Sequence, residues 1–252
     1  MPEVDASAAL RAAARFGPYF TWEPYDGGPG WRPYGELLDA GVVAERVGVA
    51  RDLLARMAGV ATGDIPERAV ASVTFLGLAS RLLSPPLAAA AAGGAMPVPD
   101  PAKLWWRAAE GGPIPFAYRG LTAVEDGAAL TTALAEPVLE VFRRRFALSG
   151  QVLWGNVASA LGGAAGMIAD ASPSHAAAAA ALVAGALRTP QLVGTATLER
   201  PDPYRDRWFL VRRNCCLYYR IPGGGTCGDC ILTPQESRRA HWQAVLSRSR
   251  VR

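Results

Sequence analysis

The cysteines near the carboxyl end constrain this chain more than any other feature. All four lie within sixteen residues of a 252-residue sequence, in the segment RRNCCLYYRIPGGGTCGDC. They are Cys215, Cys216, Cys227 and Cys230, an adjacent pair separated by ten residues from a Cys-x-x-Cys. Structural cysteines would be scattered through a core, so this clustering predicts that the four thiols share one ligand or one set of bonds.

Three kinds of site compete for these thiols. Disulfides are disfavoured because adjacent α-carbons lie only about 3.8 Å apart, below the usual range of about 4.4–6.8 Å. Structural zinc takes four thiolates, usually from two Cys-x2–4-Cys pairs. The first pair here has no spacer, and neighbouring side chains in a strand point to opposite faces, so both could reach one zinc ion only if the backbone bends sharply. A 2Fe-2S cluster needs two thiolates for each of its two irons, which matches the number of cysteines. The 2Fe-2S cluster is the favoured interpretation, but the residues alone leave all three kinds of site open.

For a 2Fe-2S cluster, the simplest assignment puts Cys227 with Cys230 on one iron and Cys215 with Cys216 on the other. The spacing does not establish which cysteines share an iron. The chain has only two histidines, His175 and His241, and four cysteines are already available. A Rieske-type site with two histidine ligands is therefore not expected.

Residues around the cysteines suit a negatively charged cluster. Arginines there would offset a charge that grows on reduction, and glycines would let backbone N–H groups approach sulfur. The arginines are Arg212, Arg213 and Arg220, and the glycines are Gly223, Gly224, Gly225 and Gly228. This segment predicts an electron carrier.

Charge and composition narrow the classes of partner. Residues 199–252 contain eleven arginines against five acidic residues, a net charge of +6, while the whole chain carries +4. Such a basic segment favours an acidic partner. Nucleic-acid binding is not expected, because no recognised motif accompanies the arginines. A hydrophobic content of 50% and a charged content of 19% are those of a globular protein.

Targeting and membrane signals are weak. The N-terminus is acidic and then alanine-rich, without an uninterrupted apolar stretch, so a cytoplasmic location is expected. Residues 73–98 are apolar but broken by Arg81, Pro85 and Pro86. Residues 152–169 are uncharged but rich in glycine and alanine, and they contain Asn156. Both stretches are better interpreted as buried core helices than as spanning segments.

Hydrophobic periodicity predicts a mainly helical body. Residues 37–57 form an amphipathic helical pattern that Gly59 would end. A second helix is expected from about Pro66, with Asp64 as its N-cap, and is expected to fail at Pro85 and Pro86. Further helices are predicted at about 124–146, 153–169, 174–187 and 234–249.

Short strands are predicted between these helices. LWWRA and IPFAYRG, within residues 92–120, favour a hairpin, and LVGTATLE and RWFLVRR favour strands just before the cysteines. We therefore expect a predominantly helical α+β fold with a C-terminal cluster-binding segment at 205–235. The expected organisation is an N-terminal helical and α+β region at 1–120 and a second helical region at 121–252 that contains this segment.

The cysteine motif resembles a known family. Its spacing, with LYYR after the first pair and PGGG before the second, closely resembles the C-terminal signature of the FhuF-like ferric siderophore reductases. LWGNVASAL, at residues 153–161, is similar to a Trp-Gly-Asn helix in that family. The resemblance covers about 153–232 and is vague before it.

The resemblance implies a cytoplasmic oxidoreductase whose 2Fe-2S cluster passes one electron to ferric iron in an imported siderophore, usually a hydroxamate. It implies that the four cysteines are the cluster ligands. Trp154 and Asn156 match the upstream motif, and packing against the cluster domain is their expected role. Tyr218, Tyr219 and Trp208 are candidates to border a docking surface, although a core or sheet-face role is favoured for each.

Two other functions remain open. The first is an electron-transfer protein that never meets a siderophore. The second is a siderophore-synthesis or siderophore-binding protein whose metal site is structural. No dinucleotide-binding fingerprint follows a strand, so an acidic ferredoxin is the expected electron donor of a reductase.

Overall fold

The computed structural model describes residues 5–109, 114–124 and 131–248. Its helices are α1 Ala6–Ala13, α2 Ala40–Ala58, α3 Glu67–Gly93, α4 Glu136–Arg145, α5 Gly150–Ala171, α6 Ala176–Ala186 and α7 Gln235–Arg248. The ends of α2 follow from the sequence: the Asp39 carboxylate accepts hydrogen bonds from two first-turn N–H groups, and Gly59 adopts a left-handed conformation.

Short strands form three small sheets in the described part of the chain. The strands are β1 Glu23–Pro24, β2 Trp31–Pro33, β3 Met96–Pro99, β4 Leu104–Arg107, β5 Phe116–Tyr118, β6 Leu121–Val124, β7 Ala196–Glu199 and β8 Phe209–Arg212. One sheet has the order β1-β5-β4-β2, and the other two are the pairs β3-β6 and β7-β8. β4 and β5 pair in antiparallel fashion, as do β7 and β8. The predominantly helical α+β fold is confirmed.

Helix α3 continues through Pro85 and Pro86, where the sequence predicted its end. Pro85 has no N–H to donate to the carbonyl oxygen of Arg81, four residues earlier. The indole N–H of Trp22 donates to that oxygen instead, at 3.0 Å. A side chain from a distant part of the sequence thus supplies the donor that Pro85 lacks.

The ends of two predicted helices were also placed wrongly. Pro66, not Asp64, occupies the N-cap of α3. Val124 lies in strand β6, and the helical backbone is described only from Thr131. The start of the helix predicted at 124–146 therefore falls partly on a strand and partly on residues 125–130, which lie outside the described residues.

The core is built around α3 and α5. Both helices contribute buried side chains to one hydrophobic cluster that extends in sequence from Ala9 to Leu210. β3 pairs with β6 across the predicted boundary between residues 120 and 121. The division into two regions stays a prediction.

α3 and α5 are also long and apolar enough to cross a membrane, by length and composition alone. Within their most apolar windows, 67% and 56% of the residues are buried inside the protein. Core helices of soluble proteins pass the same test. The buried fractions support the interpretation of both as core helices.

Candidate metal centre

The start of the cysteine segment packs against helix α5. β8 ends at Arg212, three residues before Cys215. A Cβ atom on Gly162 would lie 2.6 Å from Leu210 Cβ, and one on Gly155 would overlap the side-chain amide of Asn214. Glycine at these two positions therefore lets β8 and the start of the cysteine segment approach the backbone of α5.

The four cysteines form no disulfide and differ in depth. Cys216 and Cys230 are buried, with exposed fractions of 2% and 3%, whereas Cys215 and Cys227 are half-buried. The sulfurs of Cys216 and Cys227 lie 3.5 Å apart. Two sulfurs held at about 2.3 Å from one tetrahedral metal ion would lie about 3.8 Å apart. This pair is therefore spaced for a shared iron, although its members come from the two ends of the motif.

A zinc ion and a 2Fe-2S cluster require different arrangements of the four thiols. A mononuclear zinc site would gather all four thiols around one point, whereas a cluster asks for two thiols at each iron. Among residues 5–109, 114–124 and 131–248, no three His, Cys, Asp or Glu side chains converge as a single-ion site. The Cys216 and Cys227 sulfurs form a pair, which is the unit that a cluster uses.

Backbone N–H groups point at the sulfurs. Leu217 N–H donates to Cys215 Sγ and Leu232 N–H to Cys230 Sγ, both at 3.3 Å. Tyr218 N–H donates to Cys216. Each donor is two residues after its cysteine, and Leu217 adopts a positive φ of 68° to form this turn. Such donors stabilise thiolates bound to iron, so the local backbone fits a cluster.

The glycines between the two cysteine pairs shape the turn. Gly223 and Gly225 have φ of 75° and 67°, values that favour glycine. A Cβ on Gly224 would lie 2.8 Å from the Tyr218 carbonyl oxygen. The sequence predicted that these glycines would let backbone N–H groups approach sulfur, and the donors in the described residues are Leu217, Tyr218 and Leu232.

The contact between Cys216 and Cys227 makes their ionisation unequal. A hydrogen bond from Cys227 lowers the pKa of Cys216 to about 6, against the opposing effect of burial. The Tyr218 N–H and the Arg212 guanidinium lower it further. The same contact with Cys216, together with burial and Asp229, raises the pKa of Cys227. The contact thus favours the thiolate form of Cys216, and thiolate is the form that binds iron.

The three candidate arginines occupy different environments. Arg212 is 1% exposed, and its charge acts on the Cys216 thiol. Arg213 is exposed, and its backbone N–H donates to the Thr195 carbonyl. Arg220 is also exposed, donates from Nε to the Tyr219 hydroxyl at 3.2 Å, and has its pKa raised by that bond. Of the three, Arg212 is the one held inside the protein.

The two upstream motif residues have separate surroundings. Asn156 is fully buried and contacts Arg212, with 2.7 Å between Asn156 Oδ1 and Arg212 Nη2. Trp154 is half-buried and packs against the hydrophobic core. Asn156 thus lies next to the cysteine segment, and Trp154 contributes to the packing of α5.

The two tyrosines lie in a single turn of 3-10 helix, Tyr218–Arg220, which follows the first cysteine pair after Leu217. Tyr218 is half-buried, whereas Tyr219 is 46% exposed. Tyr219 therefore presents an aromatic surface beside the metal centre, and Tyr218 contributes its backbone N–H to Cys216.

Sequence reasoning missed four residues that position this site. Ser72 and Asn214 bond to Asn156 and Arg212, respectively. Asp229 accepts a hydrogen bond from Ser159 Oγ at 2.5 Å and, through its carbonyl, from the backbone N–H of Arg212 at 3.0 Å. Asn214 and Asp229 lie inside the motif, where polar residues directly beside cysteines were the available signal. Ser72 and Ser159, on α3 and α5, gave no sequence signal.

The four cysteines on a glycine-shaped loop, the N–H groups directed at sulfur and the buried arginine together fit the class of iron-sulfur proteins. Residues 212–230 match the family model described as the FhuF 2Fe-2S C-terminal domain. This stretch of the chain is therefore similar to the C-terminal domain of that family, and together with the four cysteines it supports a 2Fe-2S cluster as the cofactor. No curated protein matches the chain at a significant level. The Trp-Gly-Asn stretch lies outside the matched residues, so that part of the resemblance stays a prediction.

Proposed function

We propose that this protein is a cytoplasmic ferric siderophore reductase that delivers one electron at a time. The match of residues 212–230 to the FhuF 2Fe-2S C-terminal domain carries the proposal. Hard oxygen ligands, such as hydroxamates, hold ferric iron far more strongly than ferrous iron. Adding one electron therefore loosens the complex and releases the metal.

The electron balance is simple. When bound, the cluster would serve as a one-electron carrier. It would lose one electron, and ferric iron in the siderophore would gain that electron and become ferrous iron. The donor that reduces the protein again is a low-potential one-electron carrier, for which an acidic ferredoxin is our proposal. The residues of this chain hold the thiolates, supply N–H groups to sulfur and place the centre near the surface.

Substrate access to the centre needs a shallow surface rather than a deep pocket. Cys215 and Cys227 are half-buried, so the metal centre lies near solvent. A groove of about 320 Å³ adjoins the second cysteine pair and is lined by Trp208, Gly228, Asp229 and His241, among others. We propose this groove as the place where the ferric siderophore docks, since Gly228 and Asp229 connect Cys227 to Cys230.

A single-turnover experiment tests this function. Protein purified without air is reduced, freed of reductant by desalting and mixed with a ferric hydroxamate siderophore and a ferrous chelator. We expect one ferrous ion trapped per cluster oxidised, measured by the chelator's colour and the cluster's visible absorbance. A reduced cluster that no ferric hydroxamate oxidises would overturn the proposal and favour an electron-transfer protein.

The gallium complex of the same siderophore is the matched control. Gallium(III) resembles ferric iron in charge and size but accepts no electron under these conditions. The gallium complex should leave the cluster reduced and should slow the reaction with the ferric complex by competition. Colourless protein that contains zinc instead of iron and acid-labile sulfide would contradict the cofactor itself and favour a structural metal site.

A further inference from the structure

Arg212 is a buried cation with one unpartnered nitrogen. Its Nε donates to Asn214 O at 3.2 Å, and its Nη2 lies 2.7 Å from Asn156 Oδ1 and 3.0 Å from Asn214 Oδ1. Nη1 is buried and has no hydrogen-bond partner. A buried N–H group left without an acceptor is costly, so its presence points to an acceptor that completes the site.

The position of Arg212 indicates which acceptor that is. Its backbone N–H donates to the Asp229 carbonyl, directly before Cys230, and its Nε donates to the Asn214 carbonyl, directly before Cys215. Arg212 thus lies between the two halves of the cysteine set. In the described part of the chain, it forms no ion pair with a carboxylate. A 2Fe-2S cluster held by four thiolates is anionic and would supply the missing negative charge.

Asn156 helps to fix the direction of the guanidinium, together with Asn214 and the Val152 carbonyl, which lies 3.4 Å from Nη2. Its Nδ2 donates to Ser72 O at 2.8 Å and contacts Ser72 Oγ at 3.0 Å. These two bonds to α3 leave Oδ1 facing Arg212, because a flipped amide would aim two N–H groups at another donor. A chain of buried hydrogen bonds therefore runs from α3 through α5 to β8.

We propose that Arg212 Nη1 donates a hydrogen bond to a cluster sulfur, either the Cys216 thiolate or a bridging sulfide, and that Asn156 is the positioning residue that holds it there. A hydrogen bond to sulfur stabilises the reduced cluster more than the oxidised one, because the reduced form carries more negative charge. Asn156 and Arg212 therefore raise the reduction potential. This inference rests on the cluster and does not depend on siderophore turnover.

The first test detects the hydrogen bond itself. Protein is produced with arginine labelled by ¹⁵N only in the guanidinium, and the reduced cluster is studied by pulsed electron paramagnetic resonance. We expect a ¹⁵N hyperfine coupling that disappears in Arg212→Lys. Absence of any such coupling in the unsubstituted protein, with the cluster fully loaded, would overturn the proposal.

The second test measures the reduction potential by spectroscopic titration. Asn156→Ala should lower the equilibrium constant for reduction about tenfold, which corresponds to about 59 mV for a one-electron couple. Arg207→Lys is the matched control, because Arg207 also packs beside a glycine of α5, where it pairs with Asp170 at 3.0 Å. It should loosen the same interface without changing the potential.

The outcomes separate positioning from packing. An Asn156→Ala potential equal to that of the unsubstituted protein, at equal iron content, would contradict the role of Asn156. An equal shift in Arg207→Lys would show that loosened packing is the cause and would overturn the inference. Because both readouts need only the loaded protein, a failure to reduce siderophores would leave their results unchanged.

Discussion

Cys216 and Cys227 come from opposite ends of the cysteine motif, yet their sulfurs lie 3.5 Å apart. Adjacent cysteines, by contrast, have α-carbons only about 3.8 Å apart, below the usual range of a disulfide. The metal-free protein should therefore react selectively. After removal of iron by a chelator and mild oxidation, we expect Cys216–Cys227 to be the main disulfide, mapped by mass spectrometry of the digested chain. A main product that joins Cys227 to Cys230 would contradict this geometry.

The same contact predicts how the thiolates divide between the irons. If Cys216 and Cys227 share one iron, Cys215 and Cys230 serve the other, in contrast to the simplest assignment from spacing. The double variant C216S/C227S should place both oxygen ligands on one iron and leave the second iron's Mössbauer doublet unchanged. C215S/C216S is the control and should alter both doublets. If C215S/C216S altered one doublet and C216S/C227S altered both, the result would favour Cys215 with Cys216 on one iron and Cys227 with Cys230 on the other.

The site residues show what a sequence can and cannot reveal. The cysteines, Arg212 and Asn156 were identified from motif and charge, because their chemistry is local. Their contacts were not, since the hydrogen bond that Arg212 donates to Asn156 spans 56 residues and those that Asn156 donates to Ser72 span 84. Only the packing of α3, α5 and β8 brings these side chains together.

At the level of elements, the glycines of α5 let the cysteine segment pack closely against this helix. Gly155→Ala would drive a Cβ into the Asn214 amide and push the cysteine segment away from the helix. We expect a loss of about 1–3 kcal/mol in the free energy of unfolding, typical of overpacking, together with a lower iron content. Urea unfolding of the metal-free protein and iron analysis of the loaded protein measure the two effects.

Gly163→Ala is the control on the same helix. Gly163 is exposed, and a Cβ there would meet nothing within 4 Å. Alanine in place of a helical glycine should stabilise by about 0.5–1 kcal/mol. Equal stability losses in both variants would mean that Gly155 has no special role in seating the cysteine segment.

Element boundaries were predictable where the deciding contacts are local. Gly59 ends α2 as the sequence predicted, whereas α2 begins at Ala40, after its N-cap Asp39, and not at residue 37, where the predicted pattern starts. Pro85 misled the prediction for α3, because the donor that replaces its missing N–H belongs to Trp22, 59 residues from the carbonyl that it serves. Proline ends a helix when the freed carbonyl has no other donor, and a sequence does not show where that donor will come from.

For the molecule as a whole, the structure shows which arginines of the basic segment at residues 199–252 form ion pairs. Several arginines of residues 199–252 are neutralised by neighbours, including Arg200 by Asp206 at 2.8 Å and Arg207 by Asp170 at 3.0 Å. Arg213 and Arg220, on either side of the first cysteine pair, are exposed and form no ion pair within the described residues. Positive charge is therefore free at the metal centre itself.

This free charge predicts salt-dependent reduction by an acidic ferredoxin. The double variant R213E/R220E should slow the second-order rate of reduction about tenfold at low salt, because electrostatic attraction raises encounter rates. The difference should shrink above about 0.1 M salt, where charges are screened beyond about 10 Å. R15E/R56E changes the net charge equally, at exposed arginines of the N-terminal part, and serves as the control in stopped-flow measurements. Equal slowing in both double variants would attribute the effect to overall charge, and a salt-independent rate would remove the case for an acidic donor at this surface.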